Sequence, residues 1–282
     1  MIWLLENELF DNLDELKSEI VRQGHQYITA KYVPFGGRLE IDGQIPDAGH
    51  IFVYGSLQFV KTADATLYRR YGNRLHTWCN LPQFKCSYYY PRLSKYLLNR
   101  ECAFLPFGQL QDAGAWIFKT FGTMNGTKIF MRPNSGFKEF TGQVYDSKYW
   151  DGFLRCSNIA LQPEDLVVIS TPKELVKEYR AIIGPTKDNE RQQVVTISRT
   201  HSNGQLDEGI PSAAEHKQVT EYITSVLDDV CFEPNPLWVM DVCSDINGNF
   251  TIVEVNSMSC SGYYKCDMQS IVQAVSEYIC TL

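Results

Sequence analysis

Three oxygen-bearing side chains close to the end of the chain, Asp241, Glu254 and Asn256, form the pattern most able to do chemistry. They flank the dipeptide Asn247-Gly248, which sits between apolar, β-branched runs. Asn-Gly in that setting predicts a β-hairpin, because a two-residue type I′ turn needs positive φ at both central positions. With Asn247 and Gly248 as the loop, Ile246 pairs with Asn249, and Asp241 comes to lie opposite Glu254. Directly opposed residues share a face with Cβ atoms about 5 Å apart, and strand alternation adds Asn256 to that face. Two facing carboxylates repel, so the arrangement needs an offset. One is a shared proton, which raises one carboxyl pKa. The other is a divalent cation held by both carboxylates and the Asn256 carbonyl, an all-oxygen set that suits Mg²⁺ or Mn²⁺. A solvated polar face of an antiparallel sheet is the third reading of the same residues.

A second group of residues has the character of a phosphate cradle. Lys128 to Arg132 alternates as a strand with Lys128, Phe130 and Arg132 on one face, and Pro133 ends it. Asn134-Ser135-Gly136 and Thr141-Gly142 then bracket a small-residue loop that carries Lys138. Backbone N–H groups of such a loop can bind phosphate oxygens while Arg and Lys neutralise them. A plain hairpin with both bases in solvent fits equally well.

These residues need a scaffold, and the chain supplies one in order. Residues 2–5, 26–33 and 51–56 read as strands, with a helix through Leu13, Leu16, Ile20 and Val21 stopped by Gly24. This β-α-β-β opening predicts a small α/β domain with a parallel sheet. Gly55-Ser56 after the third strand reads as a tight turn or a ligand approach. Residues 68–95 are rich in Tyr, Arg and His; they read as core and domain seam, or as a base-stacking platform. Helices are expected at Leu93–Asn99 and around 109–118. Leu166–Ser170 reads as a buried strand broken by Thr171-Pro172. Glu178 to Gly184 and Gln192 to Thr200 read as further strands, the first with Glu178 and Arg180 on one face. Residues 186–193 and 201–212 read as polar loops, and Ala213–Asp228 as an amphipathic helix with Val219, Ile223 and Val226 inward. Asp267 to Ile279 closes the chain as a helix.

Composition bounds the function. The 282 residues are 44% apolar and 21% charged, ordinary for a globular chain with a sizeable core. A net charge of −7 weighs against nucleic acid as a partner, which requires clustered Lys and Arg. The start of the chain meets Glu6 with no basic stretch before it, unlike a signal peptide. No apolar run approaches the roughly 20 residues that span a bilayer. Nine cysteines occur without a Cys-x-x-Cys pair, which points to reduced thiols in a cytoplasmic protein rather than a zinc site. G-x-G-x-x-G and Walker A fingerprints are absent.

Taken in order, the small α/β domain, the strand with Arg132, the glycine loop with Lys138, the strand reaching Val168 and Ser170, Glu178-Tyr-Arg180, a helix, and then Asp241 with Glu254-Val-Asn256 resemble the ATP-grasp superfamily. The resemblance extends over essentially the whole chain. It is strongest to a divergent bacterial and phage clade related to the eukaryotic initiation-factor-2 assembly factor, since Arg132 stands where lysine is usual. It implies an α/β (α+β) fold of two lobes clasping ATP behind a small Rossmann-like domain, divided as 1–85, 86–170 and 171–282. It further implies that Asp241, Glu254 and Asn256 hold Mg²⁺ and that Arg132 and Lys138 hold phosphates. Val168 and Ser170 would meet adenine, Glu178 would orient Arg180 or contact ribose, and Arg180 and Arg199 would stabilise the transferring group. The implied activity is an ATP- and Mg-dependent carboxylate–amine ligation through an acyl-phosphate, with a protein or peptide among the candidate substrates. A non-ligating ATP-binding assembly factor and an ATP-dependent nucleic-acid ligase are the alternatives.

Overall fold

A computed structural model describes residues 1–123, 126–136, 139–155 and 161–282. The architecture is mixed α/β with three sheets, as expected. The chain divides into two compact units: Met1–Asn80 with Val176–Phe250 and Glu254–Leu282, and Leu81–Leu175 with Thr251–Val253.

The first unit opens with β1 (Ile2–Glu6), α1 (Leu13–Arg22), β2 (Gln26–Val33), β3 (Arg38–Ile41), β4 (Ile51–Tyr54), α2 (Leu57–Tyr71) and β5 (Leu75–His76). The sheet order is β3-β2-β1-β4-β5. All pairs are parallel except the β2–β3 hairpin. β4 is buried at every position and β1 at all but Glu6, as strands with helices on both faces must be. α1 packs on Trp3, Leu5, Phe52 and Tyr54, while α2 packs on Ile2, Leu4, Ile51 and Val53. Gly55-Ser56 is a tight strand-to-helix turn. The Glu6 carboxylate accepts the Ser56 N–H at 2.5 Å, and a Cβ on Gly55 would lie 2.7 Å from that of Glu6. The space a ligand would need is filled by the chain itself, and Ser56 caps α2.

The second unit holds α3 (Cys86–Leu93), β6 (Cys102–Pro106), α4 (Leu110–Phe121), β7 (Lys128–Pro133), β8 (Gln143–Asp146), α5 (Trp150–Leu154) and β9 (Leu166–Ser170). Its antiparallel sheet runs β6-β9-β7-β8. Along β7, Ile129, Met131 and Pro133 are buried and Lys128, Phe130 and Arg132 half-buried, the alternation expected. The helix expected over Leu93–Asn99 lies earlier: α3 contains Tyr88–Tyr90 and ends at Leu93. Beyond it the backbone pairs with Ile252, whose carbonyl accepts from Leu98 N–H and whose N–H donates to Tyr96. Strand-like pairing there uses groups that a helix would have bonded internally.

The first unit resumes with β10 (Lys177–Pro185), β11 (Gln192–Ser202), β12 (Gln205–Gly209), α6 (Ala213–Asp229), β13 (Trp238–Ser244), β14 (Phe250–Ser257) and α7 (Met268–Cys280). Their order is β12-β11-β10-β13-β14. The expected loop at 201–212 contains β12. α7 lies in one core with α1 and with residues of both sheets in this unit: Trp3, Leu5, Leu16, Ile20, Ile182, Val239, Ile271 and Val275 are all fully or almost fully buried there. On the other face of the second sheet, α6 is anchored by Glu215. This carboxylate accepts from Lys177 Nζ at 2.6 Å and Tyr179 Oη at 3.0 Å, and it closes a capping box with Ser212.

Hydrogen bonds from Lys177, and then Ser212, pull the Glu215 carboxyl down to about 2 from its ordinary 4.5. A lowered folded pKa adds stability above the unfolded value, and that stability is lost as pH falls through the folded one. Urea unfolding midpoints should therefore fall between pH 4.5 and 2. The fall should be shallower in Glu215→Gln, which has no charge to lose.

Candidate active site

β10 and β13 pair so that Arg180 faces Asp241. The guanidinium forks onto the carboxylate, Nε to Oδ1 at 2.8 Å and Nη2 to Oδ2 at 2.7 Å, and Nη1 donates to the Gly262 carbonyl at 2.8 Å. The Tyr264 ring lies 4.9 Å from the guanidinium carbon. Both ion-pair partners are 8% exposed. Burial alone works against the Arg180 charge, but the Asp241 carboxylate outweighs it and holds the pKa above its usual value. Ser198 and Thr196 of β11 staple the covering segment down by accepting the N–H groups of Lys265 and Asp267, both at 3.0 Å. The fork fixes the orientation of the Asp241 carboxylate.

The hairpin that carries the other two residues closes differently from expectation. Asp245 N–H donates to Asn249 and Gly248 N–H to Asp245, so the loop is Ile246–Gly248 rather than Asn247-Gly248. Only Gly248 has positive φ, +79°, and Asn247 does not, which excludes type I′. The cause is the Asp245 carboxylate. It accepts the N–H groups of Asn247 and Asn249 and the Asn249 side-chain amide, at 2.8–2.9 Å, and so fixes an Asx turn. The extra loop residue should reverse the face of every later side chain. The spacing of buried positions along β14 is itself uneven, Ile252 then Val255 then Ser257, so alternation counted from the loop does not decide the faces beyond it. Asn256 Nδ2 donates to Asp241 Oδ2 at 3.1 Å and to Glu254 Oε1 at 2.9 Å. The three residues expected to converge do converge.

Glu178 joins them. It sits two residues before Arg180, opposite His201. Burial raises its carboxyl pKa, the His201 ring pulls the other way, and the charges of Asp241 and Glu254 push it higher. His201 was not anticipated. A register shift between Arg199 and His201 breaks the alternation from which faces are counted. Arg199 stays outside the cluster by regular alternation, since the residue that faces Arg180 on β11 is its neighbour Ser198. Arg199 pairs with Tyr179, on the face where Tyr179 meets Glu215, and its Nε lies 3.0 Å from Asp207. A Cβ on Gly209 would lie 2.8 Å from Arg199 Nη2, so glycine there leaves the guanidinium its place.

In the second unit, Arg132 is paired with Val168 and donates to the Val253 carbonyl at 3.4 Å. Val168 and Ser170 are fully buried in β9, with β6 on one side and β7 on the other. Their backbone groups belong to ladders, and the Ser170 hydroxyl donates to Asn99 at 3.0 Å. Backbone beyond this doubly paired strand begins at Thr171. Lys138 lies outside the described residues.

A pocket of 390 Å³ in the first unit is lined by Asp11, Asn12, Glu15, Glu208, Tyr264 and Lys265, among others. Gly262 and Tyr264, which line it, also touch Arg180. Asn12 Nδ2 donates to the Tyr264 carbonyl at 2.9 Å, which ties the start of α1 to this wall.

A family model for the ATP-grasp domain, the second family of its clade, matches residues 114–274, more than half of the chain. The chain belongs to this ATP-grasp family. No curated protein sequence matches it. Solved structures carry the same fold at low identity. D-alanyl-alanine synthetase A from Vibrio cholerae O1 aligns over 99% of this chain and 98% of its own, with a TM-score of 0.64 and 11% identity. D-cycloserine synthetase DcsG aligns over 99% and 100%, with a TM-score of 0.63 and 11% identity. The ATP-grasp ligase PsnB, solved with a minimal precursor, aligns over 98% of each chain, with a TM-score of 0.55 and 13% identity. This is the ATP-grasp ligase fold.

The donors fit the cation expected of an ATP-grasp site. Asp241, Glu254 and Asn256 offer only hard oxygens. The Asn256 amide now lies between the two carboxylates and supplies the partial positive charge that a cation would supply in full. Among the described residues no group of three or more His, Cys, Asp and Glu side chains is arranged to hold a metal, and here the third donor is an amide.

Removing one partner of a buried ion pair leaves the other uncompensated. Arg180→Met should lower the unfolding free energy by about 3–5 kcal/mol in urea titrations. Arg180→Met with Asp241→Leu should recover a large part of that loss, because no charge is then stranded.

Proposed function

We propose that this chain is an ATP- and Mg²⁺-dependent ligase that joins a carboxylate to an amine through an acyl-phosphate. The observation that carries the reading is the continuous chain of contacts Arg180–Asp241–Asn256–Glu254 on one sheet face, within a family whose fold serves ATP. In this reading Asp241, Glu254 and the Asn256 oxygen hold Mg²⁺, whose chemistry when bound is to neutralise phosphate charge. Arg132, with Lys138, binds phosphate oxygens. Backbone groups at and after Val168 and Ser170 meet adenine, Thr171 being the first beyond the ladder. Arg180 fixes the Asp241 carboxylate, and Glu178 lies beside it with a raised pKa, able to hold a proton near the reacting groups. Arg199 acts on the α6 face, through Asp207, as a support for β11 and β12. The three segments 1–85, 86–170 and 171–282 remain functional parts in this scheme, each centred on one of the three sheets.

The reaction needs no covalent enzyme nucleophile. A substrate carboxylate oxygen attacks the γ-phosphorus and ADP leaves. The amine nitrogen then attacks the acyl carbon, an amide bond forms, phosphate leaves and the nitrogen gives up its proton. Catalysis is positioning and charge neutralisation. The 390 Å³ pocket is the proposed substrate chamber, supported by the walls it shares with Arg180. PsnB was solved with precursor peptide, and this supports including peptides among the substrates tested.

Calorimetric titration of ATP with Mg²⁺ tests the reading. Wild type should bind, and Glu254→Gln should bind at least about tenfold more weakly, since even outer-shell partners of a metal are worth that much. No Mg²⁺-dependent ATP binding in wild type would overturn the assignment. Binding with phosphate release that no amine accelerates would favour the assembly-factor alternative.

A further inference from the structure

The described cysteines are all free thiols, and two of them meet. Cys79 follows β5, and Cys260 ends the short turn Met258–Cys260 after β14. They are 181 residues apart in sequence, yet the Cys260 thiol donates to Cys79 Sγ at 3.7 Å. Both belong to the first unit and both are half-buried.

The surroundings hold the two backbones in place. Ser257 Oγ donates to the Trp78 carbonyl at 2.7 Å, so the segments that lead into the two cysteines are already bonded to each other. Gly55 N–H donates to the Ser259 carbonyl at 3.0 Å, and Tyr54 Oη to the Ser261 carbonyl at 3.0 Å, so the turn is fixed on both sides of Cys260. Asn80 N–H donates to Asn235 at 3.1 Å, which fixes the segment just after Cys79. Two sulfurs in contact between anchored backbones are held where a bond between them can form.

We propose that Cys79 and Cys260 form an oxidative modification site that takes a peroxide and closes to a disulfide. The two thiols are unequal. The hydrogen bond from Cys260 lowers the Cys79 pKa, opposed by burial and aided by Ser257 and the Lys61 ammonium. The same contact, with burial, raises that of Cys260. The proposal gives the attack to Cys79, whose sulfur accepts from Cys260. Its sulfur takes one peroxide oxygen, the O–O bond breaks, and the other oxygen leaves as hydroxide and takes a proton to become water. Cys260 sulfur then attacks the Cys79 sulfenic sulfur, the S–O bond breaks, and the departing oxygen takes the Cys260 proton and leaves as a second water. Two thiols are oxidised by two electrons and one peroxide is reduced. Other described cysteines are set differently: Cys231 and Cys280 are exposed, and the thiols of Cys102 and Cys266 are pushed up to about 11 and about 12, mainly by burial.

The test is peptide mapping of the intact chain after brief exposure to hydrogen peroxide, alkylation of the remaining thiols and digestion. The expected product is the peptide containing Cys79 joined to that containing Cys260, lighter than the sum of the two by two hydrogen atoms and lost on reduction. In Cys260→Ser, the oxidised Cys79 should persist as a sulfenic acid captured by dimedone; in Cys79→Ser, Cys260 should remain alkylatable. Linkage of either cysteine to a different one, or over-oxidation of Cys79 with Cys260 still free, would overturn the proposal. The wild-type map decides the matter even where a serine variant fails to fold, and it reads the bond without reference to nucleotide binding.

Discussion

The buried fork between Arg180 and Asp241 is the constraint that the site depends on. Moving two charges out of water costs several kcal/mol per ion, and their attraction repays this only in good geometry with every remaining donor bonded. Here the third guanidinium nitrogen has the Gly262 carbonyl and the face of the ion has Tyr264. A lysine could not do this, because its ammonium lacks the planar fork. The register of β10 on β13, the path of the 261–267 segment and the orientation of Asp241 are thereby fixed together. Glu254 and Glu178 then bring more negative charge to a face whose described bases are Arg180 and His201, and a site with that imbalance attracts a cation.

Much of the first unit was legible in the sequence. The opening β-α-β is marked by an apolar run, a 3.6-residue pattern and Gly24, whose φ of +78° a side chain would resist. What escaped was set by contacts distant in sequence. α2 carries four buried side chains on an otherwise polar helix, and its clearest local mark is the Ser56 cap. β12 has little apolar character and exists because β11 offers it an edge.

The site residues divide along the same line. Asp241, Glu254 and Asn256 were assigned to one face from a two-residue turn that does not form. The grouping holds even so, because Asn256 donates to both carboxylates. Counting from the turn does not foresee it, since the turn is reset by the Asp245 carboxylate and the buried positions of β14 are unevenly spaced. Arg199 shows the opposite outcome: regular alternation from the Arg180–Ser198 pair turns it to the far face, and the shift beyond it brings His201 opposite Glu178. A residue beside an irregularity cannot be given a face by counting alone, whereas residues in a regular run, such as Arg132 on β7, can.

The shared core of β1, α1 and α7 joins segments that are made far apart in time. Trp3 and Leu5 are buried among Ile271, Val272 and Val275, so β1 finds these neighbours only after α7, far along the chain, has been made. At translation speeds of about 5–20 residues per second, that interval is on the order of tens of seconds. Through it, apolar surface from the opening α/β segment is without its cover. The second unit is built almost wholly from one continuous stretch and can pack while it waits. Nascent chains should therefore pass through a long-lived state with the second unit packed and the core of β1, α1 and α7 open, the kind of state on which chaperones act.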